Sequence, residues 1–409
     1  MKKLFYKPNL WLYYILFASL VLLIGEVVND RFTMHDLEVY HRTAERMLQT
    51  KQLYRIASDG HYVYKYSPTA ALYFVPFALL PFGVAKIMFW ALLTILTIVV
   101  LKVLYKQTAI ESEVVKERNQ NILLLAFLAV GAHVHREWHL GQVNFVLLML
   151  YVFVLTALSN KKQLLAGILL AISLFLKPFG LIFYPYLLIK GKYKAVLASF
   201  AGLLVMGILP MLFYPSWDQF MQLNRSWISE LTIELSAKQD LLADANHTIF
   251  SVLARYTPLQ YLVNTGVASK IYQLLLLLVI GVSFLYFIWM GRKRQRSMMA
   301  EGAFLITLIP LFAFTSQNAF LFTLPAIIVV LYNYTALNAT GKVMAVSACI
   351  LIGANIRDLM GSRFYNIFEN ASVYTFGAVL LLALLFMIRS KYNSQITSVK
   401  HAEKSIMRA

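Results

Sequence analysis

Asp36, Tyr40 and Ala44 recur every fourth residue, the spacing that puts side chains on one face of a helix. They follow directly on an apolar stretch of spanning length, residues 9–28, and are themselves followed by an aromatic and basic run. A carboxylate in that position is where a membrane-embedded transferase would hold a general base. A hydroxyl is a weak nucleophile until a carboxylate within hydrogen-bond reach removes its proton, and Asp36 is the candidate for that task. Two other readings compete. Asp36 could cap a solvated helix continued by Glu38 and Glu45, or the base could be Asp30, at the very end of the apolar stretch.

Cations able to meet an anion come next. Lys177-Pro178 lies between two apolar runs, so its ammonium must find an anion, for which a lipid phosphate is the obvious choice, or snorkel to an interface. Arg255, Arg225 and Arg363 are further cations suited to a departing phosphate, whose charge is the main thing a transfer from a phospholipid sugar must stabilise. Asn246-His247-Thr248 follows Asp240 and Asp244; His247 can hydrogen-bond and can also be protonated, whereas Asn246 or Thr248 could simply cap a helix starting at Ile249. His135 and His139 stand at i, i+4, but Glu137 falls one place later than a zinc-protease motif requires. They are read as an interfacial cluster near Gln142, and no metal ligands are assigned.

The elements that must position these groups are membrane helices. With 60% hydrophobic and 14% charged residues and a mean hydropathy of +0.66, the chain would expose far more apolar surface than water tolerates if it were soluble. Apolar stretches predict helices over residues 9–28, 83–104, 121–138, 142–159, 195–215, 270–290, 300–315, 319–333, 342–356 and 372–389, with residues 163–189 forming either two short crossings or a re-entrant pair. Residues 67–82 carry Pro68, Pro76 and Pro81 and are expected to lie broken along an interface. The net charge of +18 is positive-inside bias, with basic clusters at Lys161-Lys162, Lys190 to Lys194, Arg292 to Arg296, and Arg389 with Lys391. No basic face on a soluble module points to nucleic acid. This parity places residues 29–82 and 216–269 outside as two large loops, and residues 391–409 inside as a polar tail. The one cysteine, Cys349, can form no intrachain disulfide.

Several weak motifs in a fixed order then carry a family likeness. Asp36-x-x-x-Tyr40-x-x-x-Ala44, Leu53-Tyr54, Tyr64-Lys65-Tyr66-Ser67-Pro68, Leu79-Leu80-Pro81-Phe82, Gly141-Gln142-Val143-Asn144, Ala166-Gly167 with Lys177-Pro178, and Asn246-His247-Thr248-Ile249-Phe250 with Arg255 resemble glycosyltransferase family 87. The resemblance implies an all-helical polytopic fold of the GT-C class, about ten to twelve helices in a single domain over residues 1–390. It implies transfer of one hexose, mannose above others, from a polyprenyl-phosphate donor to a lipid or glycan hydroxyl, with inversion. Asp36 would be the base; Lys177, Arg255, Arg225 and Arg363 would hold the donor phosphate; Tyr40, Tyr66, Gln142, Asn144, Asn246, His247 and Gln317 would contact substrate. No nucleotide sugar or other cofactor is implied, and the need for a divalent metal is left open.

The chain departs from the family pattern in two places. His247 replaces a Gln, and Thr315-Ser316-Gln317-Asn318 stands where a Ser-Pro and a paired-His signature are usual. The second leaves Gln317 or Asn318 to make the polar contact, so sugar and acceptor need not be those of characterised members. The implied setting is a bacterial inner membrane with the site on the outer side. A flippase for a lipid-linked intermediate would need polar residues deep in several helices, and a scaffold would use its aromatic loops only as surface.

Overall fold

The computed structural model describes residues 9–111, 120–236, 240–244, 246–263, 266–292, 297–313, 317–353 and 355–406, and among these it is helical throughout with no strand. Among the described residues, five helices are long and apolar enough to cross a membrane: α1 (Leu10–Val28), α5 (Phe82–Glu111), α10 (Tyr193–Ile208, with its continuation to Leu212), α14 (Gly266–Met290, apolar from Ala268) and the first half of α19 (Val373–Ile406). Helices α6 (Asn121–Leu140) and α7 (Asn144–Ser159) pass the same test together, but the chain bends by 119° between them. The other apolar stretches form shorter helices: α8 (Gln163–Leu176), α9 (Phe183–Ile189), α15 (Met298–Phe312), α16 (Leu324–Tyr332) and α17 (Ala339–Gly353). The chain is thus an all-α polytopic membrane protein.

The non-spanning elements are α2 (His35–Leu48), α3 (Pro68–Leu72), α4 (Val75–Ala78), α11 (Trp217–Ser236), α12 (Ile249–Tyr256), α13 (Gln260–Val263) and α18 (Arg357–Asn370). Helices α3 and α4 fall where the three prolines predict a broken segment, each opening with a Pro in its first turn. The polar tail continues α19 as helix to Ile406, as a stretch without Gly or Pro allows. Arg389 is no solvated basic residue, since it is 3% exposed and pairs with fully buried Glu301 at 2.9 Å, its guanidinium lying 4.2 Å from the Phe287 ring centre.

The chain forms two compact units. One comprises residues 12–100 and 134–239, the other residues 1–11, 101–133 and 240–409. In the first, α1 and α5 are joined by a buried polar contact, Trp90 Nε1 donating to Ser19 Oγ at 2.9 Å, with Thr94 Oγ1 2.7 Å from the same oxygen. Helices α8 and α10 touch backbone to backbone: a Cβ on Gly167 would meet the Ala195 carbonyl at 2.3 Å. The Ala166-Gly167 motif is therefore a packing motif, a small surface that lets two helices approach. In the second unit α19 packs on α14, α15, α16 and α17, while Phe250, Tyr272 and Leu241 make a smaller apolar core beneath α12.

Candidate active site

Helix α2 is fixed by its apolar stripe. Leu37, Tyr40, Ala44 and Met47 are all 3% exposed or less, and this burial turns the same side of the helix, with half-buried Asp36, toward the protein. Asp36 is not a cap. The N-cap residue is Met34, in the left-handed region at φ 50°, and no side chain caps the helix. The α6–α7 bend is brought against this point by Gly141, at φ +67°, where a Cβ would lie 2.7 Å from that of Leu37; only glycine meets both demands.

Gln142 is the hub. Its Oε1 accepts from the backbone N of Val143 at 2.9 Å, from Tyr40 Oη at 3.0 Å, from Tyr66 Oη at 3.2 Å and from Lys177 Nζ at 3.4 Å. A backbone N–H and an ammonium can only donate, so the amide has one possible orientation and its NH₂ faces Asp36, donating to Oδ2 at 2.8 Å. Among the described residues nothing bonds the other carboxylate oxygen, Oδ1. Burial raises the Asp36 pKa above its usual value; the nearby Lys177 charge, the Gln142 hydrogen bond, His35 and Arg136 offset this in part. Burial also raises the phenols of Tyr40 and Tyr66, which are 3.0 Å apart, so both remain neutral donors.

Behind Gln142 the chain of polar contacts continues to a second carboxylate. Lys177 Nζ donates to Asn144 Oδ1 at 2.7 Å, and Asn144 Nδ2 donates to Glu137 Oε1 at 2.8 Å. Glu137 is fully buried, and its Oε2 also accepts from the backbone N of Phe145 at 3.2 Å. Lys177 is thus held between two carboxylates through two amides, with the Phe179 and Tyr66 ring centres 5.6 and 5.9 Å from its Nζ. Glu137 is the residue that sequence reasoning missed as a member of the site. Its signal was present, a lone carboxylate inside an apolar stretch. Ser67-Pro68 serves the same region structurally: Ser67 Oγ caps α3, accepting from Ala70 N at 3.1 Å, and donates to the Phe175 carbonyl at 2.9 Å, two residues before Lys177.

His135 Nε2 and His139 Nδ1 lie 3.1 and 2.8 Å from the two oxygens of Glu26, so both imidazoles face a carboxylate. Asp30, the rival base, is exposed, as is Arg225 on α11.

The second unit holds the remaining candidates, of which Arg363 is exposed on α18. Thr248 is the N-cap of α12, accepting from Ser251 N at 3.3 Å, and Asn246 Oδ1 accepts from Thr248 N and Oγ1 at 3.1 and 2.7 Å. His247 is 3% exposed, its Nδ1 2.9 Å from Ser372 Oγ and its ring edge-on to Tyr374 and Phe320. Arg255 donates to the carbonyls of Asn370 at 2.6 Å and Asn246 at 3.1 Å and to Ser372 Oγ, with Asp244 at 3.7 Å. These contacts tie α12 to the turn before α19. Gln317 donates to Tyr365 Oη at 2.6 Å and accepts from Tyr374 Oη at 2.5 Å.

Three comparisons bear on this arrangement. The family model of glycosyltransferase family 87 matches residues 64–315. That segment includes Tyr66, Gln142, Asn144, Lys177, Arg225, Asn246, His247 and Arg255, and leaves Asp36, Tyr40, Gln317 and Arg363 outside. No curated protein matches the chain. Among solved structures, the chain is similar to ArnT from Cupriavidus metallidurans bound to undecaprenyl phosphate, at 11% identity and a TM-score of 0.40, over 94% of this chain and 79% of that one.

Proposed function

The chain belongs to glycosyltransferase family 87, and from that premise we propose that it moves one hexose, mannose before others, from a polyprenyl-phosphate carrier to a hydroxyl of a lipid or glycan. The observation that carries the proposal is the state of Asp36: one oxygen anchored by Gln142, the other open, and a pKa raised by burial. A base is most effective when its pKa lies near the working pH and its reactive lone pair is not already engaged.

The reaction is a single displacement. The acceptor oxygen gives its proton to Asp36 Oδ1 as it bonds to the anomeric carbon. The bond from that carbon to the phosphate oxygen breaks, and its electron pair leaves with the phosphate. One base and one leaving group imply inversion. Lys177 supports the leaving step: it is the cation nearest this carboxylate's hydrogen-bond network, and an ammonium in a dry site stabilises a phosphate charge far better than in water. Tyr40 and Tyr66, whose phenol protons go to Gln142, offer oxygen lone pairs to the sugar hydroxyls.

The test is Asp36→Asn assayed with radiolabelled polyprenyl-phosphate sugar in detergent. Asn keeps the size of Asp and can still meet Gln142, but it cannot take a proton, so transfer should fall by ~10²- to 10⁴-fold with donor binding retained. Near-normal turnover would remove Asp36 from the chemistry. The proposed side of the membrane is the outer one. A cysteine at exposed Ser58 should react with an impermeant thiol reagent in intact cells, and one at exposed Lys194 should not. The reverse pattern would invert the topology.

A further inference from the structure

Between residues 50–54 and α11 the first unit holds a cleft of about 270 Å³. Lys51 and Gln52 line one wall, Gln219, Gln222 and Ser226 the other, with Tyr214 between them. Residues 219, 222, 223 and 226 follow the i, i+3, i+4, i+7 spacing of one helix face. An apolar stripe on that face would have closed the gap; two amides and a hydroxyl leave it open and wet.

The cleft is held apart at both ends. At one, Thr50 Oγ1 donates to the Phe213 carbonyl at 3.0 Å and Tyr214 Oη donates to the Lys51 carbonyl at 2.5 Å. At the other, Arg55 grips Glu230 through two contacts of 2.7 and 3.1 Å, and Lys65 pairs with Glu234 at 2.8 Å. Glu230 is 1% exposed and Arg55 46%, so the bidentate contact seats a half-exposed guanidinium on a buried carboxylate. The walls are therefore preorganised. The side-chain amides of Gln219 and Gln222 and the Lys51 ammonium make no hydrogen bond to the described protein.

We propose that this cleft binds the carbohydrate part of the acceptor, a neutral sugar unit next to the hydroxyl that is glycosylated. The chemistry of the lining selects the class. Amides and hydroxyls donate and accept alternately, as a polyhydroxylated ring does. No carboxylate lines the cleft to hold a cation, and a single lysine is too little for a polyanion. Leu223 and Tyr54 add the apolar patch that a sugar face needs. The volume falls just below the usual range for ligand sites, which suits a single ring. Tyr54 also connects the cleft to the candidate active site: its Oη donates to the Tyr66 carbonyl at 2.8 Å, and Tyr66 Oη reaches Gln142.

The inference rests on the transferase reading, and the experiment separates the two. Saturation-transfer NMR with a panel of methyl hexopyranosides is run on detergent-solubilised wild type, Asp36→Asn, Ser226→Trp and the pair Gln219→Ala with Gln222→Ala. Ser226→Trp fills the cleft, and the double variant removes its amides without adding bulk. Wild type and Asp36→Asn should show glycoside contact. Ser226→Trp should lose it, and the double variant should bind at least about tenfold more weakly, the loss expected from two unmade hydrogen bonds. No contact in wild type, or contact undiminished in both cleft variants, overturns the cleft. If wild type transfers sugar in an Asp36-dependent way yet binds no glycoside, the cleft inference fails alone. If glycosides bind in the cleft but Asp36→Asn keeps full turnover, the catalytic reading fails and the cleft remains a carbohydrate site.

Discussion

The Asp36 and His247 clusters are built from similar parts and differ in what they leave undone. Each has a basic side chain, amide groups, aromatic rings and a carboxylate. Around His247 most bonds run within the cluster: Arg255 meets two carbonyls and a hydroxyl, though its Nε is buried without a hydrogen bond, His247 meets Ser372, and Gln317 is held by two tyrosines. Around Asp36 every bond points inward except one, and the open Oδ1 belongs to the group whose proton affinity burial has raised. A network bonded mainly within itself rigidifies a fold, whereas an acceptor kept ready on a rigid support is what a reaction needs.

The largest effect should separate the clusters by kind. Asp36→Asn should lose rate and keep stability, while Arg255→Ala should lose stability and keep rate. The sign for Asp36 follows from linkage. Its folded pKa is raised, so its stabilising contribution is present below the unfolded value and is lost as pH rises through the folded one. Ionising the buried group costs folding free energy, and Asp36→Asn should melt no lower than wild type. Arg255→Ala removes several contacts at a helix tie and should destabilise by about 2–4 kcal/mol. A raised donor KM with unchanged melting in Arg255→Ala would make Arg255 a phosphate cation and break the contrast.

Much of this contrast was legible in the sequence. Apolar runs located the membrane helices, and the 36/40/44 spacing put Asp36 and Tyr40 on one face, because burial of a helix stripe is a periodic signal. Glu137 stayed hidden as a partner because Asn144 reaches it only through the 119° bend, and a left-handed glycine carries no periodicity. Arg255 was open to a phosphate role because its carbonyl and hydroxyl partners at Asn370 and Ser372 are more than a hundred residues away. A single sequence shows that a cation exists, not whether the fold has already occupied it.

Lys177→Met sharpens the comparison from the other direction. It leaves Asn144 Oδ1, beside buried Glu137, without the donor it accepts from, which should destabilise the fold by about 1–3 kcal/mol. It also removes a charge that lowers the Asp36 pKa, so in whatever activity remains the acid limb of kcat/KM should move to higher pH. An acid limb that stays in place would uncouple Lys177 from Asp36.

Gly141→Ala should act more mildly and only through position. A non-glycine residue at φ +67° costs about 1–2 kcal/mol, and the new Cβ must push against Leu37. The α6–α7 bend should shift, taking Gln142 off Asp36 Oδ2, with a lower kcat and donor affinity little changed. Equal losses in both would indicate general damage to the fold.

His247→Gln should have the smallest effect. The family pattern resembles Asn-Gln-Ser at this place, and a glutamine amide can meet Ser372 Oγ much as Nδ1 does while remaining among Tyr374 and Phe320. With the Ser372 bond kept, stability should fall by about 1 kcal/mol or less. The ring is buried and bonded to Ser372 Oγ as a support of the fold, and the pH profile of kcat/KM should keep its shape. A limb near pH ~6.5 that is present in wild type and absent from His247→Gln would show a proton moving at His247. That result would give the second cluster chemistry of its own, and the contrast between a working carboxylate and a structural histidine would no longer hold.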